Sequence, residues 1–63
     1  MSHMVISEHC AALSARARVE AEASSRMGWT ASAEDWERIA DQWQALSQEA
    51  YALALANGEG GPL

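Results

Sequence analysis

A chain of 63 residues with 49% hydrophobic content is one domain at most and lies near the lower limit of size at which a lone core suffices. Four basic residues, all arginine, stand against nine acids for a formal net charge of −5, and Arg16, Arg18 and Arg26 are interleaved with Glu20 and Glu22; this balance repels phosphate backbones and argues against nucleic acid as a partner. No apolar run approaches the ~18 residues of a membrane span, and the N-terminus lacks the basic and apolar regions of a signal peptide, so the sequence predicts no membrane partner and a cytoplasmic location.

Met1-Ser2-His3-Met4 looks like a vector remnant ahead of a start at Met4, which sets His3 aside as a site residue. Ser7 is the expected N-cap of a first helix, with Glu8 placed against the positive end of its dipole, and the helix is predicted to run to Met27. Within it, Ala15 to Ala23 alternates like a strand, but alanine, arginine and glutamate are strong helix formers and β-branched residues are nearly absent. Arg16 with Glu20 and Arg18 with Glu22 are spaced i,i+4, each pair contributing a few tenths of a kcal/mol at most.

Gly28 follows as a helix-ending residue able to take positive φ, with apolar Trp29 after it, the arrangement of a Schellman motif. After a turn over 28–32, Ser32 and Asp35 fit the acidic variant of a capping box that opens a second helix over 33–57. That helix carries Trp36, Ile39, Trp43, Leu46, Ala50 and Leu53 at alternating steps of three and four, the seam of two helices packing lengthwise. Residues 58–63 read as a flexible tail.

The short turn makes the helices antiparallel neighbours, with residues whose numbers add to about 60 at one level. Trp36 then faces Ala21 and Ser24, Trp43 faces Ala17, Leu46 faces Leu13, Ala50 faces Cys10 and Leu53 faces Ile6, so large meets small at both tryptophans. The predicted fold is an all-α antiparallel two-helix hairpin with an intrachain core of Ile6, Cys10, Leu13, Ala17, Ala21, Trp36, Ile39, Trp43, Leu46, Ala50 and Leu53.

So small a core usually needs a disulfide, a metal or a partner subunit. Cys10 is the only cysteine, which rules out an intrachain disulfide and reads most simply as a reduced core thiol. Tyr51 and Leu55 lie about 100° or more around the second helix from the Trp36 seam, and Ala12, Val19 and Ala23 form a second stripe on the first. With Trp29 in the turn, these six residues are the expected oligomer or partner interface, and pairing of two hairpins into a homodimeric four-helix bundle is the expected assembly. The plainer alternative is that the alanines are exposed and kept for helix propensity.

Chemistry-bearing clusters are few. Glu8, His9 and Cys10 have ligand residue types, but adjacent helical positions point about 100° apart and do not converge on one ion. Glu34, Asp35, Glu37 and Asp41 are better explained as a solvated face with helix-start acids than as a carboxylate pair, and Trp36 and Trp43 as seam residues rather than a stacking platform. The expectation is a non-catalytic protein without cofactor or metal, acting by self-association as an interaction or adaptor module. A second reading is a regulatory or docking peptide, antitoxin-like, that orders on a different protein; a third is a metal or redox protein using Cys10 and His9 across an oligomer axis.

The order Glu8-x-Cys10-x-x-Leu13, then Trp36-x-x-Ile39-Ala40-x-x-Trp43-x-x-Leu46, resembles a group of very small bacterial helical-hairpin proteins rich in alanine, arginine and glutamate. The resemblance covers about two thirds of the chain and implies a hairpin fold, with no activity, cofactor or catalytic residue. This sequence departs from the group in having fewer basic residues in the first helix and a longer apolar stretch near the C-terminus.

Overall fold

The computed structural model describes residues 2–59. Two helices, α1 (His3–Arg26) and α2 (Thr30–Ala56), pack against each other along their whole length. The hairpin is a rod of 49 × 17 × 14 Å, with a radius of gyration of 14.4 Å against about 11 Å for a compact domain of this length.

The break between the helices follows the sequence signal at Gly28. Its φ is +81°, a conformation that glycine adopts without the Cβ penalty, and the two bonds of a Schellman motif close over it: Trp29 N–H donates to Ser24 O at 2.9 Å and Gly28 N–H to Ser25 O at 3.0 Å. The same motif ends α2, where Gly58 has φ +77° and Glu59 N–H donates to Ala54 O at 2.7 Å. Gly58 and Glu59, expected in a flexible tail, are therefore part of an ordered helix stop; residues 60–63 of that tail, like Met1, lie outside the described residues.

Both helix starts fall earlier than the sequence suggests. Ser2, not Ser7, caps α1 by accepting from Val5 N–H at 3.1 Å, which leaves Ser7 inside the helix and free to serve the interhelix seam. The Ser32 and Asp35 capping box is unused, because α2 begins at Thr30 with Trp29 at the cap position and no side-chain cap bond. Ser32 instead meets Ser24 across the turn at 3.3 Å, and Asp35 pairs with Arg38 at 3.1 Å.

The seam between the helices is built from small residues. Ser7, Cys10, Ser14, Ala17, Ala21 and Ser24 of α1, and Ala40, Ala50 and Ala54 of α2, are the buried side chains, Ala40 with no exposure at all. Side chains this small let two backbones approach closely enough for serine hydroxyls on one helix to reach carbonyls on the other. Ser14 Oγ donates to Ala40 O at 2.8 Å; Ser7 Oγ donates to Ser47 O at 2.9 Å while Ser47 Oγ donates to Ser7 O at 2.8 Å. Every buried side-chain nitrogen and oxygen among the described residues has a partner, as a close-packed polar seam requires. Arg18 also crosses to Asp41 (3.3 Å) and Gln44 (2.7 Å) rather than along α1 to Glu22, which pairs with Arg26 at 3.5 Å.

This seam corrects part of the expected core. Cys10, Ala17, Ala21 and Ala50 are buried, whereas Ile6, Leu13, Trp36 and Trp43 are half-buried and Ile39, Leu46 and Leu53 are exposed at 36%, 48% and 51%. The physical reason is that α2 is turned by about half a residue, ~50°, around its axis, so that the Ala40, Ser47, Ala54 line replaces Ile39, Leu46 and Leu53 against α1 while Ala50 stays in the seam. Branched side chains at that line would hold the helices apart and break the serine-to-carbonyl bonds. The level rule survives the rotation, since the hydrogen bonds that side chains make between the two arms join residues whose numbers add to between 54 and 63.

Candidate interaction surface

A flat two-helix layer has two broad faces, and here they differ in chemistry. One carries shallow grooves walled by Arg18, Glu22 and Glu37 and by Arg18, Gln44 and Gln48. The other carries a groove of about 290 Å³ walled by Leu13, Ala17, Trp36, Ile39 and Trp43, with Arg16 and Glu20 beside them. At about 100° per residue, Leu46 and Leu53 fall on the same flank of α2 as Ile39, and Ile6 on the same flank of α1 as Leu13.

The chain thus places its small residues inside and its branched and aromatic residues on one outer face. Among the described residues, no large side chain is fully buried. The accessible surface is 4651 Å² for 6.8 kDa, where a folded monomer of this mass ordinarily exposes about 3,950 Å².

The residues expected at an interface are all exposed, but they do not form one surface. Ala12, Val19 and Ala23 follow the back of α1, away from α2, while Tyr51 and Leu55 lie on the flank of α2 opposite Ile39, Leu46 and Leu53. Trp29 stands at the turn with its carbonyl accepting from Ala33 N–H at 2.9 Å. The richest apolar surface is instead the one assigned from the sequence to the intrachain core. An uninterrupted Ala40, Ser47, Ala54 line at seven-residue spacing was the signal for this, a second seam that the larger Trp36 series overshadows.

The helix ends meet in a polar clasp. Glu59 Oε2 lies 2.9 Å from His3 Nδ1, and Glu59 Oε1 accepts from Met4 N–H at 3.3 Å, one of the backbone donors left over at the start of α1. The His3 hydrogen bond holds the Glu59 carboxyl below its ordinary value, against a smaller opposing effect of desolvation and with help from the Met4 N–H.

Metal chemistry finds little footing in a single hairpin. His9 is exposed while Cys10 is buried in the seam as a free thiol, and among the described residues no three histidine, cysteine or carboxylate side chains are grouped to hold an ion. No helix among them is long and apolar enough to cross a membrane. Comparisons with family models, with curated proteins and with solved structures give no match.

Proposed function

We propose that the hairpin is a non-catalytic interaction module that self-associates through the Leu13, Trp36, Ile39, Trp43, Leu46 and Leu53 face into a four-helix bundle. The observation that carries this reading is the inversion of the ordinary burial pattern: alanine and serine fill the interhelix seam while Ile39, Leu46 and Leu53 stand exposed beside two half-buried tryptophans. Contiguous apolar surface of this extent marks an interaction site, and antiparallel helix pairs commonly cover such a face with another pair. The acidic outer faces would then keep the assembly soluble.

Tryptophan emission tests the reading. In a Trp29→Phe variant the signal comes from Trp36 and Trp43 alone, and on concentration it should shift to the blue as their rings leave water. Leu46→Glu should remove the shift and hold the chain as the less helical monomer, since Leu46 lies on the shared face and outside the serine and alanine seam. Emission that stays constant over the whole range would refute self-association through this face.

A further inference from the structure

Resting on the self-association just proposed, we infer that the second copy docks antiparallel, α2 against α2, with Trp43 on the twofold axis. The apolar content of the face is unevenly divided. α2 supplies Trp36, Ile39, Trp43, Leu46 and Leu53, whereas α1 supplies Ile6 and Leu13 and then Arg16 and Glu20, which share the wall of the groove with Trp36 and Ile39. Setting α2 on α1 of the second copy would bring those two charges against Ile39 and Trp36. Setting α2 on α2 joins apolar to apolar and leaves Arg16 and Glu20 at the solvated margin, where a charge costs little.

Register follows from overlap. Trp43 is the middle residue of Thr30–Ala56, so two α2 helices that overlap fully in antiparallel sense cross at Trp43. Ile39 then lies within about one residue, ~1.5 Å of rise, of the level of Leu46 of the second copy, so the two exposed branched side chains meet on each side of the axis. Arg38 comes within about one residue, ~1.5 Å of rise, of the level of Glu49 of the second copy. Both side chains lie on the edge of the face away from α1, so each interface closes with two opposite-charge contacts related by the axis.

Paired spin labels decide the orientation. With Cys10→Ala removing the native thiol and Ala31→Cys carrying the label, the antiparallel dimer places the two labels about 36 Å apart along the axis, from 1.5 Å per residue over twice twelve residues. A separation below about 20 Å would overturn the antiparallel arrangement and leave self-association standing. Dimer that is absent at every concentration overturns both. The charge contacts have their own test: Arg38→Glu and Glu49→Arg should each weaken the dimer several-fold, and the double variant, with net charge unchanged, should recover the parent affinity. Failure of the double variant to recover overturns the Arg38 to Glu49 contact.

Discussion

Gly28 and Glu59 show how single residues set the ends of this rod. At Gly28 a Cβ would meet no atom within 4 Å, so the cost of Gly28→Ala is one of backbone conformation alone, about 1–2 kcal/mol for an alanine at positive φ. Thermal unfolding at fixed concentration should register it as a lower midpoint with unchanged helix content at low temperature. Glu59 gives a pH signature. Because its carboxyl is held below the ordinary value of 4.5 when folded, the clasp on His3 and Met4 contributes fully above that pH and is lost as pH falls through the lower, folded value. The Met4 amide resonance should therefore titrate in acid in the parent protein and lose that response in Glu59→Gln.

Helix existence and the Gly28 stop were legible from residue types alone, because a helix needs only propensity, periodicity and a glycine at the C-terminal stop. The rotation of α2 was not. Its sequence carries two seams one residue apart, and the branched one, Trp36 to Leu53, outweighs the small one, Ala40 to Ala54, by any measure of hydrophobicity. What decides between them is close approach: serine hydroxyls bonded to the facing backbone at 2.8 and 2.9 Å, a geometry that only small neighbours permit. The helix starts were missed for a related reason. Ser7 and Ser32 have the chemistry of caps, but their hydroxyls serve interhelix contacts instead. The small seam makes its own prediction. Ala40→Leu, at a position with no exposure, should overpack the hairpin and cost roughly 1–3 kcal/mol, whereas Ala45→Leu on the exposed side should stay within about 0.5 kcal/mol of the parent. Equal effects in chemical denaturation would contradict the seam.

At the scale of the molecule, a rod 49 Å long and 14 Å thick has no interior in which to bury its own tryptophans, and one apolar face cannot be covered by a helix already engaged along its other side. In the proposed dimer, Ile39, Leu46 and Leu53, which the sequence marks as core, would be covered by the second copy. The faces differ in composition: serine and alanine pack within the chain, isoleucine, leucine and tryptophan line the face proposed for association, and Arg18, Asp41 and Gln44 lie on the other side. In the proposed dimer, association completes this core. Sedimentation equilibrium across a wide dilution range, read with far-ultraviolet circular dichroism at the same concentrations, tests it most directly. Self-association should give a species of twice the 6.8 kDa chain mass that loses helicity as it dissociates; a helical species of single chain mass at every concentration would overturn it.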